Sequence, residues 1–158
     1  MGLVGQIKKS TLGVELDDRQ AEVLAALGEV STLAEGQYLI EEAKIDDSLH
    51  VLLAGKLEVV KKAGVGDDIT LHVLREGDMA GELSFVDQVE HTLGIRALSN
   101  CEIFNLKHND FESLITREPE LVYKVMCAIM RSAHGILHRM NLQHVELSNY
   151  IYKQHGRY

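Results

Sequence analysis

The residues best suited to chemistry lie in one stretch, GELSFVDQVEHTLGIRAL, at positions 81–98. A short helix beginning after Gly81 would aim backbone N–H groups that have no partner within the helix at an anion. Gly81 has no side chain, so a ligand can approach the backbone closely. Near the end of the stretch, His91 supplies a hydrogen-bond donor and a charge that changes near neutral pH. These features predict a binding site for a small anion.

A helix and a series of strands precede this stretch. Residues 17–28 predict a helix, because Asp17 can cap its start and Gly28 can end it. From 29 to 106, short strand-like runs alternate with glycines at a spacing typical of an antiparallel barrel or sandwich. Ala54-Gly55 predicts a tight hairpin between two of these runs.

The pattern after residue 106 is helical. Residues 109–117 predict a short helix capped by Asn109, and Pro119 suits the first turn of another. No proline, and no glycine but Gly135, interrupts the run from 119 to 155, which predicts one helix about 50 Å long. Apolar residues alternate along it at steps of four and three, the rhythm of a coiled coil, which predicts a homodimer through this helix. The predicted row is Val122, Met126, Ile129, Ala133, Ile136, Met140, Gln143, Leu147 and Tyr150.

Composition limits the class of protein. A chain of 158 residues with 46% hydrophobic and 25% charged residues is typical of one globular domain, covering 1–158. No stretch reaches the ~20 apolar residues that cross a bilayer, and the start lacks the features of a signal peptide, so we expect no membrane association and a cytoplasmic location. The net charge of −8 argues against nucleic acid as the main partner. Cys101 and Cys127 lack metal-site spacing, and we expect both to be free thiols.

The order of these elements resembles the cyclic nucleotide-binding domain family, which includes the bacterial catabolite activators. A helix, a glycine-punctuated strand region, Gly-Glu-Leu-Ser, a short helix and a long final helix follow one another over roughly residues 16–150. The resemblance implies a mainly β fold with flanking helices, in which a jelly-roll-like double-stranded β-helix is followed by a long C-terminal dimerisation helix. It also implies a regulatory or sensor role, no enzymatic activity, and cAMP or cGMP as the ligand to test, with no other cofactor indicated.

The resemblance assigns roles to the residues of the Gly-Glu stretch. Gly81 would open a phosphate-binding cassette, and Glu82 would accept a hydrogen bond from a ribose hydroxyl. The N–H groups of Leu83 and Ser84 would face the phosphate, and His91 and Thr92 would close the site.

The cassette departs from the family pattern at its end, where Arg-Ser/Thr-Ala becomes His91-Thr92-Leu93. An arginine offers a permanently charged, bidentate fork, whereas a histidine offers one donor and a variable charge. Thr92 retains the hydroxyl, and Leu93 introduces a larger side chain. Arg96 lies five residues beyond His91 on an alternating strand and therefore points to the other face. On the long helix, the positions that contact the base in catabolite activators correspond to Ile136 and Leu137, which cannot hydrogen-bond a base.

Two alternatives to a nucleotide sensor stay open. One is a protein-protein interaction module whose nucleotide pocket is vestigial and whose dimer surface binds a partner protein. The other is a heme or metal sensor, because His134 and His138 lie one turn apart on the long helix, although no third ligand has suitable spacing. Direct DNA binding is not expected, since no helix-turn-helix follows the long helix before residue 158.

Overall fold

The computed structural model describes residues 1–64 and 66–155. In chain order its helices are α1 (Leu3–Lys9), α2 (Asp18–Leu27), α3 (Glu82–Asp87), α4 (His108–Glu112), α5 (Leu114–Arg117) and α6 (Pro119–His155). Its strands are β1 (Glu29–Leu33), β2 (Tyr38–Ile40), β3 (Ser48–Ala54), β4 (Leu57–Lys61), β5 (Ile69–Leu74), β6 (Met79–Ala80), β7 (Gly94–Ala97) and β8 (Cys101–Lys107).

The strands form two antiparallel four-stranded sheets. One has the order β1-β8-β3-β6 and the other β2-β7-β4-β5. Alternating side chains of both sheets meet in one core cluster, which includes Leu52, Leu57, Ile95 and Ile103. The predicted fold class, mainly β with flanking helices and a long C-terminal helix, is confirmed by this arrangement.

A second core cluster joins the β1-β8-β3-β6 sheet to the helices. Leu49 and Phe104 of the sheet pack with Leu24 of α2, Phe85 of α3 and Leu121 of α6, and all five are almost fully buried. Burying a side chain of this size contributes roughly 1.5–3 kcal/mol. These contacts therefore hold the cassette helix α3 and the start of α6 against the two sheets, which together are called the β-roll below.

The structure differs from the sequence predictions at three places. The Ala54-Gly55 hairpin is wrong, because β3 and β4 belong to different sheets and the turn carries the chain from one sheet to the other. The predicted helix 109–117 is two short helices, and α4 begins at His108 with no side-chain cap from Asn109. Helix α1 was not predicted at all.

Helix α6 has an inner face and an outer face over its first half. Ile129 is only 4% exposed and belongs to the core, whereas the next residue, Met130, is 69% exposed. The predicted coiled-coil row is therefore wrong at Ile129, because that side chain is covered by its own β-roll. A neighbouring row at steps of three and four is mostly exposed, although Met126 and Ala133 within it are half-buried. It is called the outer row below: Tyr123, Met126, Met130, Ala133, Leu137, Met140, His144, Leu147 and Ile151.

Candidate functional site

The cassette begins at a sharp turn between β6 and α3. Gly81 adopts a left-handed conformation with φ of 76°. A Cβ atom at this position would lie 3.0 Å from the carbonyl oxygen of Ser48. Both the backbone angle and the close approach require glycine here. The turn directs Glu82 away from the sheet and toward α6.

Glu82 links the cassette to the long helix. Its carboxylate is 5% exposed, and Oε1 accepts a hydrogen bond of 2.8 Å from the hydroxyl of Ser132 on α6. A hydrogen bond to a charged group contributes about 1.5–3 kcal/mol, so this contact is a real tie between the two elements. A ligand hydroxyl that bonds to Glu82 would compete with Ser132 or share the carboxylate with it.

His91 uses both of its ring nitrogens within the chain. Nε2 lies 3.0 Å from the carbonyl oxygen of Asp46, and Nδ1 lies 3.2 Å from the hydroxyl of Ser84. Because a carbonyl only accepts, Nε2 carries the proton, and Nδ1 can accept from the Ser84 hydroxyl. The backbone of His91 also exchanges hydrogen bonds with Ala43 and Lys44. This side chain is held by the loop that precedes β3.

Asp46 ties His91 to a second, buried histidine. Nε2 of His50 lies 2.8 Å from the Asp46 carboxylate, and Nδ1 lies 2.7 Å from the side-chain oxygen of Asn105. The Asn105 amide nitrogen donates to Ser31, so its oxygen faces His50 as an acceptor. Full satisfaction of His50 therefore requires a proton on each nitrogen. Burial alone would raise the pKa of Asp46, but the hydrogen bond and charge of His50, the backbone N–H of Ser48 and the charge of His91 together lower that pKa.

Cations near the end of the cassette already have acidic or carbonyl partners. Lys61 donates to Glu42 and to the carbonyl oxygen of Thr92, at 2.7 and 3.1 Å. Arg96 binds Glu58, whose side-chain hydrogen bond raises the pKa of the guanidinium. Arg96 is thus engaged on the outer face of the sheet, in agreement with its predicted direction.

A cavity of about 420 Å³ adjoins the cassette. It lies between the segment after α1, strands β5 and β6, and the inner face of α6, and it falls within the size range of ligand pockets. Leu74, Met79, Ala128 and Ile136 provide its apolar walls. The charged and hydrogen-bonding side chains that line it include Lys9, His72, Asp78, Glu82, Arg131, Ser132 and Arg139.

The six residues predicted for the site do not all meet at this cavity. Glu82 lines it, and Gly81 is the hinge that delivers Glu82. Leu83 and Thr92 are exposed, whereas Ser84 and His91 are bonded to each other. Ile136, the position of a base contact in catabolite activators, lies in the cavity wall.

Sequence reasoning missed Lys9, His72 and Arg139 as residues of this cavity. The position of His72 gave one usable signal. It lies two residues before Leu74 on β5, and alternate residues of a strand lie on the same face, so the sequence places His72 on the face that Leu74 turns to the core. Burial and the nearby charge of Arg139 lower the pKa of His72. Lys9 and Arg139 gave no local signal, because 130 positions of sequence separate them.

The two histidines considered for heme or metal are both exposed on α6. Among residues 1–64 and 66–155, no group of three or more histidine, cysteine or acidic side chains could hold a metal ion. Cys101 is buried and Cys127 is half-buried, and neither is in a disulfide. Within the same described ranges, no helix is long and apolar enough to span a bilayer.

Comparison with known proteins gives consistent matches. A family profile described as cyclic nucleotide-binding domain matches residues 30–118, more than half of the chain. The cAMP-activated global transcriptional regulator CRP of Escherichia coli O6:H1 is 27% identical over 94 residues, covering 59% of this chain and 45% of that protein. The chain therefore spans less than half the length of that relative.

Solved structures support the same fold. The N-terminal domain of a transcriptional regulator from Streptomyces coelicolor A3(2) has a TM-score of 0.73 and 27% identity, covering 83% of this chain and 94% of that one. A cyclic nucleotide-binding domain from Methylobacillus flagellatus has a TM-score of 0.77 and 18% identity, covering 87% of this chain and 77% of that one.

Proposed function

This chain belongs to the cyclic nucleotide-binding domain family, and on that premise we propose that it is a regulatory module which binds a small anionic ligand beside α6. The observation that carries the proposal is the hydrogen bond between Glu82 and Ser132 at the wall of a 420 Å³ cavity. A ligand in this cavity would contact the cassette and the long helix together.

Such a ligand would act by shifting a population. A ligand changes a conformational equilibrium only through different contacts in the two states. A hydroxyl group that bonds to Glu82 changes the bond that holds Ser132, and bulk in the cavity presses on Ile136. Both effects act on α6, so we expect binding to change how α6 lies against the β-roll.

We propose that α6 passes this change to a second copy of the chain. The outer row leaves apolar side chains such as Met130 and Leu137 exposed in the single chain. Its steps of three and four match the seam of a two-stranded coiled coil. A change in the angle at which α6 lies against its own β-roll would then alter the angle between the two β-rolls of a dimer.

Cyclic nucleotides are the first ligand class to test, because the relative from Escherichia coli is described as cAMP-activated. The retained Gly81-Glu82 turn supports a hydroxyl contact of the kind that a ribose makes. The engaged state of His91 argues for weak phosphate binding at the cassette end. No catalytic role is part of this proposal.

Calorimetric titration with cAMP and cGMP, at pH 6 and pH 8, tests the proposal on the wild type and on His91→Arg. Saturable binding by either protein, with one ligand per chain, supports a nucleotide-type pocket. Wild-type binding that weakens at pH 8 would add a role for protonated His91. Absence of binding in both proteins, together with a folded His91→Arg variant by circular dichroism, contradicts the cyclic nucleotide assignment.

A second candidate is an interaction module with a vestigial pocket. It is favoured by the internal bonding of His91 and by the exposed apolar side chains on the C-terminal half of α6, such as Leu142 and Val145. This candidate predicts a dimer whose stability is unchanged by any cavity ligand. Dimer dissociation constants measured by sedimentation with and without ligand separate the two candidates.

A further inference from the structure

We propose that the anionic group of the ligand is held by Arg139, with Lys9 and His72, and not by the cassette. The ligand class is a hydroxylated phosphate monoester of sugar-phosphate size, whose hydroxyls face Glu82. This inference rests on the proposed ligand cavity. It places the negative charge of the ligand at the Arg139 end of that cavity instead of at the cassette.

Two unpaired cations at the cavity support this orientation. Within residues 1–64 and 66–155, the side chains of Lys9 and Arg139 make no hydrogen bond and no ion pair, although both line the cavity. Arg131 lines it as well but is paired with Glu15 at 2.8 Å. Both residues are exposed, so either side chain can reach an anion at the cavity mouth without breaking an existing bond.

The cassette end offers the opposite situation. The His91 ring is bonded at both nitrogens, and Lys61 is bonded to Glu42 and to a carbonyl oxygen. A phosphate at that end would have to break these bonds before forming its own. Arg139 can receive a phosphate without such a loss, and its planar guanidinium suits two phosphate oxygens at once.

The spacing along α6 fits one ligand that reaches both ends. Ser132 and Arg139 are seven residues apart, so they lie on the same face of the helix about 10 Å apart along its axis. Glu82 is bonded to Ser132 and marks the hydroxyl end. The long side chain of Arg139 can cover part of this separation, which leaves a gap suited to a pentose phosphate.

The two carboxylates in the wall select against a bare anion. Glu82 carries negative charge into the cavity, and the Asp78 carboxylate accepts a hydrogen bond from the backbone of Arg75 at 2.9 Å. Inorganic phosphate held at Arg139 is too small to reach Glu82 with a hydroxyl group, so it would meet only repulsion from that carboxylate. A sugar phosphate satisfies Glu82 with its hydroxyls, so we expect it to bind more tightly than inorganic phosphate.

His72 is expected to respond when the anion binds. Burial and the charge of Arg139 keep its pKa below the ordinary value. Asp78 acts in the opposite direction, and Arg75 adds to the lowering. A phosphate between His72 and Arg139 would offset the positive charge of Arg139, so its binding should raise the pKa of His72.

Calorimetric titration with ribose 5-phosphate, ribose and inorganic phosphate tests the inference on the whole chain. We expect ribose 5-phosphate to bind most tightly and Arg139→Gln to weaken it at least ten-fold. Arg117→Gln is the matched control, because Arg117 is an exposed arginine on α5 outside the cavity, and we expect it to bind as the wild type does. Glu82→Gln should weaken ribose 5-phosphate, because its hydroxyls lose the carboxylate, and should tighten inorganic phosphate, because the repulsion from Glu82 is removed.

Some outcomes would refute only the proposed orientation of the ligand, and others would also refute the proposed ligand cavity. Binding of cAMP or ribose 5-phosphate that depends on Glu82 but is unchanged in Arg139→Gln overturns the orientation and keeps the ligand cavity. An equal loss in Arg139→Gln and Arg117→Gln also overturns it, since the effect would then be one of overall charge. If no compound binds the folded wild type, both the orientation and the ligand cavity are refuted.

Discussion

The roles of the two faces of α6 can be tested separately by substituting one residue on each face. Ile129 is 4% exposed within the chain, whereas Leu137 on the outer row is 55% exposed. Ile129→Ala should therefore act on the fold, and Leu137→Glu should act on the dimer. The structure gives a magnitude for each.

For Ile129→Ala, a buried isoleucine is cut to alanine in a packed core. Such changes cost about 2–5 kcal/mol, because transferred apolar area is lost and a cavity remains. With a urea slope of about 2 kcal/mol/M, the middle of the range for small proteins, the unfolding midpoint should fall by about 1–2.5 M.

For Leu137→Glu, about half of the side chain is still available for burial in a dimer. Full burial of leucine contributes roughly 1.5–3 kcal/mol, so the remaining half is about 1 kcal/mol per chain and about 2 kcal/mol per two-fold dimer. Dimer affinity should thus fall at least ~30-fold, with like charges across the axis adding to the loss.

Sedimentation equilibrium and urea unfolding at low protein concentration provide the assay. Ile115→Glu is the control, since Ile115 is 52% exposed but lies on α5 and is not part of the outer row of α6. The reasoning is refuted if Leu137→Glu stays dimeric like Ile115→Glu, or if Ile129→Ala dissociates the dimer without lowering the urea midpoint. A wild type that is monomeric at micromolar concentration refutes the dimer itself.

Three other substitutions probe the cassette. With the anionic group held at Arg139, His91→Arg should leave the affinity for cAMP nearly unchanged in calorimetry, whereas a tightening of about ten- to a hundred-fold, the size of one added charge-assisted pair, would place the phosphate at the cassette end. Asp46→Ala should lower the free energy of unfolding by about 1–3 kcal/mol at pH 7, because it leaves Nε2 of the buried His50 without its acceptor. The fold lowers the pKa of Asp46, so the stabilisation by this carboxylate is fully present above its ordinary pKa and is lost as pH falls through the lowered pKa. The Asp46→Ala variant lacks this contribution. In unfolding measured as a function of pH, the variant should therefore lose less stability in acid than the wild type does. Gly81→Ala should reduce ligand binding and thermal stability, and a wild-type melting curve would show that the left-handed turn is not required.

The sequence predicted the order of elements well because local patterns determine it. The change from period-two runs to an uninterrupted helical run locates the boundary between roll and helix, and Asp17 with Gln20 forms the capping box at the start of α2. Strand pairing was less predictable, since the turn at Gly55 crosses between sheets and nothing local distinguishes that from a hairpin.

The row on α6 was misjudged for a similar reason. Ile129 and Met130, like Ile136 and Leu137, are adjacent apolar pairs, so both the predicted row and the outer row satisfy a heptad. Only the position of the β-roll decides which member of each pair is covered. The cavity was missed because Lys9 and Arg139 meet through tertiary packing alone.

If the proposed function is correct, ligand binding at Glu82 changes how α6 lies against the β-roll. Hydrogen exchange of α6 with and without saturating cAMP or ribose 5-phosphate, whichever binds more tightly, tests it on the wild type and on Glu82→Ala. We predict slower exchange over residues 128–139 in the wild type on ligand addition, and no such change in Glu82→Ala. Saturable binding that leaves exchange throughout α6 unchanged would contradict the account.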